Sequence, residues 1–239
     1  MLGSHEHYSH YTIMSMKDLK QPMTGLRERK KAAARHAIAE VAMELFEQRG
    51  YDAVTYTDIA AAADVATKTV FNYFPTKEDL VLGSRRRLEQ ALLDAVAQRE
   101  PGVSALSAVL DCTLVVLKEL ESLPKRRRER FHSVLTSSPT LTERLRSRTL
   151  ETERTLAQHL AMESGAAPGD LRPALAASSL MALWHLAFFA NGSCGATEAP
   201  GKPAEERIRD AARLLAEGLS TLGEEKSGRQ SGQSGPPTI

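Results

Sequence analysis

The sequence predicts an all-α protein. Apolar residues recur at helical spacing in segment after segment, no stretch sustains the every-second-residue alternation of a half-buried strand, and Pro, Gly or capping residues interrupt the chain where those segments end. At 239 residues there is room for one domain or two, and a composition that is 42% apolar and 26% charged is that of a globular protein. The formal charge of +1 excludes a wholly polybasic binder, so any basic surface must be local. Cys112 and Cys194 form no paired motif and nothing resembles a secretory signal, which points to free thiols in a reducing cytoplasm. The longest apolar segment, Leu175 to Ala190, contains Ser178, Ser179 and His185 and is short for a membrane span; a buried helix is expected, with no membrane association.

Residues 1–22 show no sustained period and are expected to be a disordered leader or an appended tail, with Met23 as an alternative start. His5, His7 and His10 are metal-ligand types, but no carboxylate or cysteine cluster accompanies them. The first helix begins near Arg27; Ile38, Val41, Ala42, Leu45 and Phe46 form its apolar face and Gly50 its stop. Thr55, with Asp58 three residues on, opens a short helix that turns Ile59, Ala60 and Ala63 inward. Asp64-Val65 is a turn, and residues 66–74 form a third helix. Thr76 with Asp79 is a further capping pair, starting a helix that runs to about Gln98 and closes at Pro101-Gly102. Helical patterns follow at about 103–122, 126–136, 140–164, 169–190 and 204–222, separated by Pro- or Gly-rich breaks. The polar tail 223–239 is expected to be disordered. The chain therefore divides into 1–22, a three-helix unit at 23–82, a larger helical domain at 83–222 and the tail.

The third helix carries the functional signal. Ala66, Val70 and Phe74 share one face, with Tyr73 at its margin. Lys68 and Asn72 stack four apart on the opposite face, flanked by Thr67 and Phe71, while Thr69 lies at the margin beside the Tyr73 hydroxyl. Such a face suits a DNA major groove: Lys donates to guanine, Asn pairs with adenine, and Thr or Phe contacts a thymine methyl. With the preceding helix it makes a helix-turn-helix, in which the second helix reads the groove. Thr55, Tyr56 and Thr57, at the start of the first of the pair, suit phosphate oxygens, as does Lys77. Arg27, Arg29, Lys30, Lys31 and Arg35 supply the local basic surface that the total charge hides. On those residues alone a solvated face is the commoner outcome; the order of the parts argues for DNA.

That order, "AMELFEQRGYDAVTYTDIAAAADVATKTVFNYFPTKEDLV", resembles the N-terminal DNA-binding domain of the TetR family of transcription regulators. The resemblance covers residues 27–82: a first helix ending Phe-x-x-x-Gly-Tyr, then Thr-x-x-x-Ile-Ala, a turn ending in Val, a recognition helix with Thr and paired aromatics, Phe-Pro, and Thr-Lys-Glu-x-Leu. Asp64 stands where the family often has Gly, Ala66 where Ser or Thr often caps the recognition helix, and Lys68 where Gly or Ala is common. The resemblance implies a homodimeric, ligand-responsive DNA-binding regulator, most often a repressor released from a palindromic double-stranded operator by a small molecule.

It also implies that the remaining helices form a ligand-binding and dimerising domain, with helices 169–190 and 204–222 building the interface between two copies. Ile208, Ala211, Ala212, Leu215 and Leu219 form one apolar stripe, and Leu175, Leu180, Leu183, Leu186, Phe188 and Phe189 make helix 169–190 apolar nearly all round. Leu175, Leu183 and that stripe are the expected dimer interface. Pocket candidates are Leu110, Cys112, Leu114, Val115, Phe131, Leu135, Met181, Trp184, His185 and Phe188, against ordinary core as the commoner fate of each. Trp184 and His185 stand out, because an apolar helix that carries adjacent polar-edged aromatics needs partners for them. The run Lys125, Arg126, Arg127, Arg128 and Arg130 is ordinarily a solvated face. Segment 126–190, with "SSPTLTERL" opening a long helix, faintly resembles a TetR subgroup associated with acyl-CoA-like ligands, whose phosphates that run would meet.

No Walker loop, Gly-rich dinucleotide turn, His-Glu-x-x-His or nucleophile elbow is present, so neither an enzyme nor a cofactor or metal is expected. A helical-pocket enzyme and a protein-binding adaptor are the alternatives.

Overall fold

The computed structural model describes residues 25–189 and 202–218, and all its regular structure is helical. The helices are α1 (Leu26–Arg49), α2 (Tyr56–Ala62), α3 (Thr67–Tyr73), α4 (Lys77–Ala97), α5 (Ala105–Ser122), α6 (Lys125–Ser137), α7 (Pro139–Ser164), α8 (Arg172–Phe189) and α9 (Ala204–Glu217). The histidines at 5, 7 and 10, Met23, Cys194, Leu219 and the tail 223–239 lie outside the described residues. None of the described helices is long and apolar enough to cross a membrane.

Local chemistry accounts for the helix starts. Thr55 and Asp58 form a reciprocal capping box at α2, and Thr76 and Asp79 form a second at α4. Ser104 caps α5 and Ser138 caps α7, where Pro139 occupies the first helical position. Ala66 gives α3 no side-chain cap. Asp64, in the turn before it, is in the left-handed region at φ 52°, a conformation an Asp tolerates far better than a branched residue and glycine adopts freely.

Two hydrophobic cores follow. The first gathers Ile38, Phe46, Tyr51, Val54, Ile59, Val70 and Phe74 with Leu80, Val81 and Leu82 of α4. Val134 of α6 and Leu141 of α7 belong to it as well, so elements from beyond residue 82 floor the helix-turn-helix. The second core joins α4, α5, α7, α8 and α9 around Trp184, with Leu92, Val96, Val109, Cys112, Leu117, Leu156, Met181 and Leu183. The straight helix α4 belongs to both, its first turns in one and its last in the other.

The stripe expected at the dimer interface is only partly open to another chain, with Ala211 and Leu215 half-buried. Ile208 and Ala212 are buried in this protomer's own second core with Leu183, and Ala211 and Leu215 pack against it. An amphipathic stripe states which side of a helix is covered but not by what. Among the described residues, the large apolar side chains open to solvent on this part of the molecule are Leu171 and Leu175, the latter 70% exposed.

The basic run of α6 is only partly open as well. Arg127 pairs with Glu40 at 2.7 Å, and the buried Arg130 reaches Glu40, Glu44 and Glu47 of α1, the last at 2.8 Å. Arg128 donates to the Leu120, Glu121 and Leu123 carbonyls at the end of α5. Most of the run thus fastens α6 to its neighbours, while Lys125 and Arg126 stay exposed.

Candidate nucleic-acid interface

Val70 and Phe74 anchor α3 in the first core, as their spacing on a helix dictates. Lys68, Phe71 and Asn72 then face solvent, with Thr67, Thr69 and Tyr73 half-buried along the edges. Neither Lys68 nor Asn72 bonds to another described residue, so their donors and acceptors are free for an external partner. Phe71, 46% exposed, has one ring face covered: it stacks on Tyr56 with centroids 3.9 Å apart and planes 20° from parallel.

That stack is part of a clamp. The Tyr56 hydroxyl donates to the Phe74 carbonyl at 3.1 Å, tying the start of α2 to the end of α3. Burial, then Glu78 and Asp79, raises the Tyr56 pKa, so the phenol stays a donor. Its hydroxyl proton is therefore committed inside the chain. Thr55 is likewise engaged: its hydroxyl donates to the Asp58 carboxylate and accepts from the Asp58 N–H. Of the three expected at this helix start, Thr57 is exposed and unbonded.

Two cations expected at the surface are also committed. Lys77 turns under the 51–54 loop, donating to the Tyr51 carbonyl at 2.8 Å and the Val54 carbonyl at 3.0 Å, with its ammonium 4.3 Å above the Tyr51 ring. It anchors the loop. Arg35 donates to the Tyr73 carbonyl and lies over the Phe74 ring. Arg27, Arg29, Lys30 and Lys31 stay exposed on α1.

In the second core, Trp184 is fully buried, meets Phe188 edge-to-face at 5.6 Å, and its indole N–H finds no acceptor among the described residues. An unanswered donor in an apolar interior is costly unless something supplies an acceptor. His185 is held neutral, pushed down to about 4 by burial and then by Arg85. Cys112 is buried, its thiol pushed up to about 12 by burial, so it is unreactive packing. Val115, Met181 and Phe188 share this core. Phe131 and Leu135 do not: they pack against the first core, because α6 packs on α1.

Several polar contacts escaped sequence reasoning. The buried carboxylate of Glu89 accepts from Arg85 at 3.3 Å and Arg148 at 2.8 Å, and the Arg85 guanidinium stands 3.8 Å over the Phe188 ring. An open cleft of about 610 Å3 at the far end of the bundle is lined by Arg99, Pro101, His159, Met162 and Glu163, none of them anticipated. For the α6–α1 contact the signal was present: Glu40, Glu44 and Glu47 fall on one helical face, a match for a basic run. Among the described residues no group of three His, Cys, Asp or Glu gathers as a metal site.

Residues 38–83 match the model for bacterial regulatory proteins of the tetR family. The HTH-type transcriptional regulator TcmR of Streptomyces glaucescens is 30% identical over 155 residues, spanning 62% of this chain and 69% of that protein. LuxR of Vibrio harveyi, also an HTH-type transcriptional regulator, is 45% identical over 62 residues, which are 26% of this chain and 29% of LuxR. The fold matches NalD, the secondary repressor of the MexAB-OprM multidrug efflux pump in Pseudomonas aeruginosa, with a TM-score of 0.50 and 20% identity over 77% of this chain and 96% of NalD.

Proposed function

The chain belongs to the TetR family of bacterial regulatory proteins, and from that premise we propose a homodimeric repressor whose α3 reads a palindromic operator and which a small molecule releases. Its named relatives are transcriptional regulators, in keeping with a regulatory rather than catalytic role. The observation that carries the reading is the row Thr67, Lys68, Phe71 and Asn72, held outward by the burial of Val70 and Phe74 and unclaimed at Lys68 and Asn72 by any described neighbour. Selecting bound fragments from genomic DNA tests it, with Lys68→Ala as the decisive variant. Loss of about 1–3 kcal/mol with relaxed preference at one base pair is expected. Unchanged affinity and preference would remove Lys68 from the reading set.

We assign the second copy to the exposed start of α8, Leu175 with Leu171 just before the helix, since Ile208 and Ala212 of the α9 stripe are buried from within. Leu175→Glu should give monomers in sedimentation with unfolding unchanged per protomer. Leu215→Glu, placed against the core, should lower the unfolding midpoint; a stable Leu215→Glu monomer would restore the original assignment.

The effector we assign to the second core is an apolar molecule carrying at least one hydrogen-bond acceptor for the Trp184 N–H. For the acyl-CoA-like reading, the engagement of Arg127, Arg128 and Arg130 leaves Lys125 and Arg126 as the cations of the run for its phosphates. Effector and operator would weaken each other's binding by the same factor. Screening small molecules for release of the selected DNA tests this, and Trp184→Phe, which keeps the ring and removes the donor, should weaken release.

A further inference from the structure

Arg35 leaves α1 and ends at the far side of α3. One guanidinium nitrogen, Nη1, donates to the Tyr73 carbonyl at 2.5 Å, and the group lies 4.3 Å above the Phe74 ring. Tyr73 is the last residue of α3 and Phe74 follows it. The other nitrogen, Nη2, faces α4: a Cβ placed on Gly83 would stand 3.3 Å from it. A single side chain of α1 thus touches the C-terminal end of α3 and the flank of α4.

The carbonyl and ring contacts suit an arginine. The carbonyls at a helix C-terminus are negative ends of its dipole and favour a cation. A planar guanidinium stacks on a ring while its N–H groups point outward to an acceptor; an ammonium does not do both from one position. Glycine inside a helix costs about 1 kcal/mol relative to alanine, and Gly83 lies in the interior of α4. A Cβ there would press on Nη2, and a larger side chain would take the guanidinium's place. Arg87 and Asp79 of α4 also face this cation, the first opposing and the second favouring it. Beside Gly83, the Leu82 carbonyl accepts from Arg148 of α7 at 3.4 Å, so α4 is held from the opposite side by the larger domain.

We propose that Arg35 is a positioning residue for operator recognition, locking the end of α3 against α4 so that Lys68 and Asn72 meet the groove at a fixed angle. The inference rests on the reading of α3 as the recognition helix. It differs from the role the sequence suggests, in which Arg35 is one more phosphate contact among Arg27, Arg29, Lys30 and Lys31.

The two roles separate in binding titrations. The full chain is titrated with a duplex that the wild type selects from genomic DNA and with a random duplex of equal length, over a range of salt. Positioning predicts that Arg35→Ala binds the selected duplex about tenfold more weakly, the size of one charge-assisted hydrogen bond, while the random duplex is unaffected. The slope of log affinity against log salt should not change, since no phosphate partner is lost. Arg35→Lys should behave like Arg35→Ala, and Gly83→Leu, which fills the guanidinium's place and keeps every charge, should reproduce the loss. A slope shallower by about one contact, equal losses on both duplexes, wild-type affinity in Arg35→Lys, or full affinity in Gly83→Leu would each overturn it. Far-UV circular dichroism checks folding, and Arg35→Lys and Gly83→Leu carry the test if Arg35→Ala melts below the assay temperature. A wild type that selects no duplex removes the reading of α3, and the role of Arg35 with it; a wild type that selects, with indifferent variants, overturns the role alone.

Discussion

The chain carries two dense basic stretches, 27–35 on α1 and 125–130 on α6, and they end in opposite places. On α1, Arg27, Arg29, Lys30 and Lys31 stand in solvent, and only Arg35 turns inward. On α6, Arg127 and Arg130 meet Glu40, Glu44 and Glu47, and Arg128 meets the last carbonyls of α5. The number of charges does not separate the two. What separates them is whether the fold brings carboxylates or open carbonyls within reach. A cation without such a partner stays hydrated and is free for DNA, whereas a partnered one becomes part of the architecture.

Substitutions can break or sharpen that contrast. The largest effect is expected at Arg130, which is nearly buried; its removal leaves Glu44 and Glu47 without their cation, while Glu40 keeps Arg127. Arg130→Ala should lower the unfolding free energy in urea by about 2–3 kcal/mol, less than for a fully buried pair because the glutamates are partly hydrated. Arg126→Ala, on the exposed side of the same helix, should stay within about 0.5 kcal/mol; equal effects at both positions would erase the distinction.

His185 is next, because it is a place where the fold refuses a positive charge. Its folded pKa is pushed down to about 4, so the unfolded chain binds the proton more readily. Stability should therefore be full above about pH 6.5 and fall as the pH drops toward 4, by on the order of 2 kcal/mol. His185→Gln should remove that component from a urea midpoint measured against pH. An unchanged profile would mean that this imidazole accepts its proton in the folded state.

The smallest change in stability, and the clearest in binding, is expected on α1. Lys31→Ala should leave unfolding within about 0.5 kcal/mol yet reduce the salt slope of DNA binding by about one contact. An unaltered slope would remove Lys31 from the interface.

Much of this was legible along the chain. Thr55 with Asp58 and Thr76 with Asp79 announced two helix starts, Gly50 a stop, and the four-residue spacing of Val70 and Phe74 fixed which side of α3 faces out. Asp64 also announced its turn, as a short polar side chain able to adopt a positive φ. These features depend on neighbours within four residues, so helical geometry alone determines them. The destinations of long or polar side chains do not. Tyr56 reaches Phe74, Lys77 reaches the 51–54 loop, Arg35 crosses to Tyr73 and Gly83, and Ile208 and Leu215 find their cover in their own protomer. The sequence by itself determined the helices, their order and the outward face of α3, because local spacing and capping decide those. Only the tertiary structure decided which cations remain for DNA and which apolar faces remain for another chain. A charge or an apolar stripe must be satisfied by whatever lies nearest, and packing brings together residues far apart in the sequence.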